Sequence, residues 1–183
     1  MQYLESSGLM QNFLKYIPKP SLAEHLSIAH DTSYIHAIET GNLSREQQAR
    51  LGLPWSEILR QRSFIVPNGT LLAAQLALRA GVACHAAGGT HHAHWNFGAG
   101  FCVFNDLAYT ARALIKMRLA NRILILDCDV HQGDGTANIL SNDYDILTCS
   151  IHCAENYPAI KAHSDLDFPI LRGADDDDYL SVL

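Results

Sequence analysis

The sequence predicts an α/β domain with a parallel sheet flanked by helices, and three observations carry that prediction. From residue 69 onward, helical and extended patterns alternate as helix, strand, helix, strand, helix, strand, the order that gives a parallel sheet with right-handed crossovers. A short apolar run, Ile123 to Leu126, leads straight into Asp127-Cys128-Asp129-Val130-His131 and then Gly133-Asp134-Gly135, which reads as a buried strand ended by a glycine turn. The composition, 48% hydrophobic and 17% charged over 183 residues, suits one globular domain with a sizeable core. No internal repeat or low-complexity linker divides it, so residues 1–183 are read as a single domain.

The elements follow in order. Residues 1–20 carry a helical pattern at Leu4, Leu9, Phe13 and Leu14 that stops at Pro18 and Pro20. Ser21 with Glu24 three positions on has the form of a capping box, placing Leu22, Leu26, Ile28 and Ala29 against the core. His30-Asp31-Thr32-Ser33 starts a helix through Tyr34, Ile35 and Ile38 that ends at Gly41. Residues 42–68, with Gly52, Pro54 and Pro67, read as short helices and loop. Asn68-Gly69-Thr70 opens a helix with Leu72, Leu76 and Ala80 at helical spacing, and Gly81 to Ala86 reads as a short strand. Gly88-Gly89-Thr90-His91-His92 leaves that strand as a tight turn, and Trp95 to Phe101 is a glycine- and aromatic-rich loop. Asn105 or Asp106 caps a helix through Leu119, with Leu107, Ala111, Leu114 and Ile115 on one face. After the Ile123 strand come a short helix, Thr136 to Leu140, and a strand, Ile146 to Ile151. A last apolar stretch spans Phe168 to Leu171, and Asp175 to Asp178 is an acidic run beside Tyr179 and Leu180.

Charge and cysteine content exclude several classes. A net charge of -6 with scattered Lys and Arg argues against direct nucleic-acid binding. No apolar run is long enough to cross a membrane, and MQYLESSGLMQ lacks the charged and apolar regions of a signal peptide, so a cytoplasmic location is expected. Five cysteines is an odd count for a disulfide framework, and Cys84, Cys102, Cys128 and Cys149 read as small buried hydrophobes in a reducing compartment. Cys149 and Cys153 flank His152 without the second pair a zinc knuckle needs. His25, His30 and His36 read as surface or hydrogen-bonded core histidines.

Ten histidines is a high count, and His85, His91, His92 and His94 fall within ten residues. On an extended chain Asp127, Asp129 and His131 point the same way, at the carboxyl end of a strand, where open parallel sheets bind ligands. Two neighbouring carboxylates there call for a cation. Adjacent histidines after Gly-Gly, together with Asp-x-Asp-x-His, suit a metal-assisted hydrolase. Asp129 and His131 are the expected ligands, His91 and His92 the candidates for general base, and Asp127 and Asp134 the carboxylates that would orient them. Phe101 and Trp95 are expected to line an apolar channel. Taken singly, Asp-x-Asp-x-His also describes a magnesium site or a solvated strand end, and Gly133-Asp134-Gly135 is a turn.

The stretches GGTHHAH, GAGFCVFNDLA, RILILDCDVHQGDGTA and TCSIHCAENYP together resemble the zinc-dependent histone deacetylase family, of the arginase–deacetylase fold. The likeness runs from about Leu22 to the end and is densest from Gly88 to Pro158. Gln132, where many members have a second His, and the ending around Gly173 to Leu180 are most similar to the class IV branch. The resemblance implies zinc on Asp129 and His131. It makes His92 the general base and acid, with Asp134 as its partner. His91, paired with Asp127, would support the transition state. Gly100 and Phe101 would form one wall of an acyl-lysine channel. Asp127, Asp129, His131, Ser150 and Ile151 match the positions that hold a structural monovalent cation, often potassium. The implied reaction is hydrolysis of an acylated lysine or acylated amine by zinc-activated water. Iron is an alternative at a His/Asp site of this kind.

The same resemblance sets a further expectation. The family's third zinc ligand, an aspartate, and its carbonyl-polarising tyrosine belong to segments that would follow Leu183, and its first strand to a segment before Met1. Neither the Asp175 to Asp178 run nor Tyr179 matches those positions. The chain is therefore expected to be the N-terminal and central part of the domain, marginally stable and inactive alone. A second expectation, of another class, is a non-catalytic relative that binds a partner or acylated ligand. An arginase-like manganese hydrolase would need more Asp ligands.

Overall fold

The computed structural model describes Ser6, Gly8, Gln11 and residues 13–183. Of the helix expected over residues 1–20, Leu4 and Leu9 lie outside the described residues. Phe13 and Leu14, which are described, are exposed and belong to no regular element. The regular elements are α1 (Ala23–Leu26), α2 (Thr32–Thr40), α3 (Arg45–Leu51), α4 (Glu57–Ala80), α5 (Asp106–Lys116), β1 (Ile123–Asp127), α6 (Asp134–Leu140), β2 (Ile146–Cys153), β3 (Leu166–Ile170) and α7 (Asp176–Leu180). The strands form a parallel sheet in the order β1-β2-β3, so the α/β class holds. No helix among the described residues is long and apolar enough to cross a membrane.

Local signals set most helix ends. Asp31 caps α2 by accepting from the N–H groups of Ser33 and Tyr34, and Gly41 closes it, as the sequence predicts. Ser44 and Gln47 make a capping box for α3. Ser21 makes none for α1: Leu22 is the cap, while Ser21 is buried and gives its N–H to the Phe64 carbonyl. Tertiary packing takes the serine that local pattern assigned to the cap. Leu26 and Ala29 are buried as expected, but Leu22 is exposed.

The longest helix departs most from expectation. It begins at Glu57, capped by Ser56, and runs through Pro67 instead of starting at Asn68. A proline costs an interior helix one donor and a steric conflict. Here Ser63, Phe64, Val66, Pro67, Gly69 and Leu71 are all buried, and that packing outweighs the local penalty. Residues 81–86 form no strand. A strand exists through hydrogen bonds to a neighbour, and the described sheet contains only β1, β2 and β3. The helix after Asn105 stops at Lys116, short of Leu119. Around Asp175 to Asp178 the chain turns into α7, with a capping box between Asp175 and Asp178.

The core lies on one side of the sheet. Ile125 and Ile146 join Ala111 and Leu114 of α5 and Ile139 and Leu140 of α6 in one buried cluster. Along β1 the opposite face is open, with Leu124 57% and Leu126 48% exposed, so β1 is half-buried where the sequence predicts a buried strand. The run of apolar residues did not distinguish a sheet covered on both faces from one covered on a single face. Of the cysteines, all free, Cys102 and Cys149 are buried but Cys84 and Cys128 are exposed.

A second packing centre surrounds Phe104. His30, Tyr34 and Phe64 place their rings 5.2, 5.8 and 5.3 Å from it. His30 is fully buried and hydrogen-bonded at both ring nitrogens. Its Nε2 accepts from the Asn105 N–H at 2.8 Å, so its Nδ1 carries the proton and donates to the His94 carbonyl at 3.0 Å. His25 and His36 are exposed.

The residues that open α5 and α6 fix the loop between residues 88 and 94. Asp106, fully buried, accepts from the N–H groups of Gly89 and Thr90 and from the hydroxyls of Thr70 and Thr90. Four donors and a helix N-terminus compensate that buried charge. Asn105 caps α5 through Oδ1 and uses Nδ2 to bond the Ala93 carbonyl at 3.1 Å and the Thr136 hydroxyl at 3.0 Å. Thr136 gives its N–H to the His91 carbonyl at 3.0 Å. Gly135 brings α6 directly onto the loop, since a Cβ there would run into the Ala93 carbonyl and come within 2.7 Å of the His91 oxygen.

Two outcomes follow. Burial pushes the His30 imidazole down to about 4, with its main-chain bonds to His94 and Trp95 opposing only part of that. The unfolded chain binds this proton below about 6.5 while the folded chain refuses it, so stability falls as pH drops from about 6.5 to about 4. The contribution of His30 to that loss is about 3 kcal/mol, measured as the change in urea midpoint, and His30→Gln should remove most of it. Gly135→Ala should destabilise by about 2 kcal/mol despite the better helix propensity of alanine, because the methyl group meets main chain rather than a movable side chain.

Candidate active site

The loop so fixed presents two adjacent histidines, each facing a carboxylate. His91 donates from Nδ1 to Asp127 Oδ2 at 2.6 Å, and His92 from Nδ1 to Asp134 Oδ1 at 2.6 Å. The rings lie 4.0 Å apart, and the residues are 6% and 4% exposed. Because the carboxylates can only accept, both histidines carry the proton on Nδ1 when neutral and keep Nε2 free. Asp127 comes from the end of β1 and Asp134 from the first turn of α6, so sheet and helix each supply one partner.

The spacing Asp-x-Asp-x-His has a local cause. Asp127 Oδ1 accepts the Asp129 N–H at 3.0 Å, and Asp129 Oδ1 accepts the His131 N–H at 2.8 Å. Each carboxylate folds the chain onto itself two residues ahead. Residues 129–131 therefore form bends past the strand end, and it is these turns, not strand alternation, that gather the acidic side chains. Asp129 Oδ1 lies 3.2 Å from His131 Nδ1 and 4.0 Å from His91 Nε2. The Asp129 and His131 side chains are 50% and 37% exposed, the open edge of an otherwise buried cluster. A carboxylate and an imidazole are borderline donors that suit zinc. The fit is partial, because no group of three potential His, Cys, Asp or Glu ligands gathers among the described residues.

Electrostatics separate the two pairs. Burial alone lowers the His91 pKa, but the Asp127 hydrogen bond and the charges of Asp127, Asp129 and Asp134 outweigh it and raise it. Burial alone would raise the Asp134 carboxyl, but hydrogen bonds from His92 and His94 hold it down at about 2. The site thus keeps Asp134 ionised and favours the charged form of His91.

Gly100 and Phe101 flank the pair. Gly100 has φ 53°, and a Cβ there would lie 2.5 Å from His92 Cδ2, so only glycine lets the chain lie against that ring. Phe101, at φ 65°, is 69% exposed, and its ring covers Gly52. Trp95 is half-exposed and tied through its carbonyl to the Asp31 N–H. Ser150 lies opposite Asp127 in the sheet register, with its hydroxyl 3.1 Å from His152 Nδ1, and Ile151 beside it is buried.

The sequence reading assigned no role to three residues of this neighbourhood. Tyr157 sets its ring edge-on to His92 at 4.8 Å and to His131 at 6.0 Å. Gln132, almost fully buried, exchanges hydrogen bonds with both main-chain groups of Ala162 and donates to Asp167 Oδ1, clipping down the loop that carries Tyr157. His94 donates from Nε2 to Asp134 Oδ2 at 3.0 Å. The cluster of histidines pointed to His94, but only the fold shows which carboxylate it meets.

Comparison with known proteins gives one consistent family. The histone deacetylase domain model matches residues 1–183. An uncharacterized protein of Picosynechococcus sp. is 46% identical over 180 residues, covering 98% of this chain and 60% of that protein. The acetoin utilization protein AcuC of Staphylococcus aureus is 33% identical over 145 residues, 74% of this chain and 37% of that protein. A crystal structure of an HDAC homologue complexed with SAHA shares the fold, with a TM-score of 0.76 at 23% identity over 90% of this chain and 50% of that one. The chain thus spans about half the length of these proteins. On the domain match and the fold that bears it out, the chain belongs to the histone deacetylase family.

Proposed function

We propose that this chain carries the histidine half of a zinc-dependent deacetylase centre that hydrolyses the amide of an acylated lysine or a related acylated amine. The observation that carries this reading is the pair of Nδ1-to-carboxylate hydrogen bonds, both 2.6 Å, on two buried histidines whose rings are 4.0 Å apart. Asp129 and His131 would hold zinc. A divalent cation there supplies Lewis-acid polarisation of the acyl carbonyl and lowers the pKa of water. His92, its Nδ1 proton committed to Asp134, offers Nε2 as general base toward water and then returns the proton to the leaving amine. His91, its pKa raised by its acidic neighbours, presents positive charge to the developing oxyanion. Gly100 and Phe101 form one wall for the acyl-lysine stem, and Tyr157 stands beside both His92 and His131. Asp127, Asp129, His131, Ser150 and Ile151 would hold a structural potassium ion through side-chain and main-chain oxygens. Five unpaired cysteines fit a cytoplasmic location.

One observation favours a second reading, a module that binds an acylated ligand without turnover. Among the described residues the ligand set stops at Asp129 and His131, and zinc on two protein ligands is held weakly. Two measurements decide. Calorimetric titration of the 183-residue chain with zinc should show one weak site, lost in Asp129→Ala and in His131→Ala; zinc binding that survives both substitutions contradicts the zinc assignment. Acetate release from an acetyl-lysine peptide, in a form whose ligand set is complete, should fall at least about a hundredfold in His92→Ala. Peptide binding with no acetate release, even with zinc bound, would favour the binding module.

A further inference from the structure

His94 has a role that the two His–Asp pairs do not account for. Asp134 is buried and has two oxygens to satisfy. Oδ1 takes the His92 proton at 2.6 Å and Oδ2 takes the His94 proton at 3.0 Å. Asp127 faces the same requirement and meets it differently, its Oδ1 accepting the main-chain N–H of Asp129. One carboxylate plane is therefore fixed by backbone and the other by a side chain. A carboxylate held by a single donor can turn about its Cβ–Cγ bond, and its partner imidazole then loses the bond that selects its tautomer.

His94 is itself held firmly enough to do this. Its N–H donates to the Phe97 carbonyl at 2.9 Å, and its carbonyl accepts from His30 Nδ1 at 3.0 Å. Its ring stacks on Phe97 at 4.4 Å and 18°, with the Arg50 guanidinium 4.5 Å from the Phe97 centroid. The His94 side chain is only 16% exposed. His30 is kept neutral by burial, so its single Nδ1 proton is committed to this carbonyl. A chain of fixed contacts thus runs from the Phe104 centre through His30 and His94 to Asp134 and His92.

We propose that His94 is a positioning residue that locks the Asp134 carboxylate and thereby holds His92 in the tautomer with a free Nε2. This rests on the reading of His92 as the general base only for its consequence in catalysis; the locking itself is a property of the folded chain. The His91–Asp127 pair, whose carboxylate meets no second histidine ring nitrogen within hydrogen-bond distance among the described residues, supplies an internal control.

Long-range proton–nitrogen correlation spectra of the histidine-labelled 183-residue chain report which ring nitrogen carries each proton. In the wild-type chain the proton is expected on Nδ1 of His92 and on Nε2 of His94. His94→Phe keeps a ring on Phe97 but removes the donor, so His92 should pass to a mixture of tautomers while His91 keeps its Nδ1 proton. His94→Gln restores a donor and should return His92 toward the Nδ1 form. A bare Nε2 on wild-type His94 would overturn the proposal whether or not the variants fold. So would a folded His94→Phe chain in which His92 remains wholly in the Nδ1 form. These spectra need neither zinc nor substrate. A failure of hydrolysis alongside the expected tautomers would count against the deacetylase reading and leave the role of His94 standing.

Discussion

The structure depends on the way buried polar groups at the starts of α5 and α6 hold the main chain of residues 89–93. Asn105 and Asp106 spend their side chains on that loop, and Thr136 adds a main-chain bond from α6. Each is buried, so each unmade bond would carry the full cost of a desolvated polar group, on the order of 1–3 kcal/mol. That penalty is what makes the loop conformation unique. A loop fixed this way can set two imidazoles side by side, a placement that a mobile loop would leave to chance.

The second constraint is electrostatic. Asp127, Asp129 and Asp134 gather around two imidazoles at one edge of the sheet, and a buried carboxylate is tolerated only with donors or a cation. Asp127 and Asp134 find theirs in His91 and His92. Asp129 is left half-exposed with His131 beside it, and its remaining acceptor capacity would suit a metal ion. The division between satisfied and open carboxylates separates the residues proposed to move protons from those that would hold a cation.

Much of this was legible in the residues, and what was not has identifiable causes. Asp31 and Gly41 mark their helix because a cap is a local interaction. The parallel sheet and the pairing of His91 with Asp127 and His92 with Asp134 also emerged as expected. Pro67 misled because tertiary burial overrode a backbone penalty. Gly81 to Ala86 misled because strand formation depends on a partner that sequence pattern cannot supply. Leu124 and Leu126 misled because an apolar run says a strand is sticky, not which face is covered. Gln132, Tyr157 and His94 act through distant partners, Ala162, the imidazoles and Asp134, that no spacing along the chain encodes.

On the proposed reading, the half-exposed Asp129 and His131, fronting two buried His–Asp pairs, form the metal-binding edge of a deacetylase centre. X-ray absorption of the zinc-loaded chain tests it most directly. One imidazole nitrogen and carboxylate or water oxygens at about 2.0–2.2 Å, and no sulfur, are expected. Sulfur at about 2.3 Å, from the exposed Cys128 or its neighbours, or a shell of two or more imidazoles drawn from His91 and His92, would contradict it.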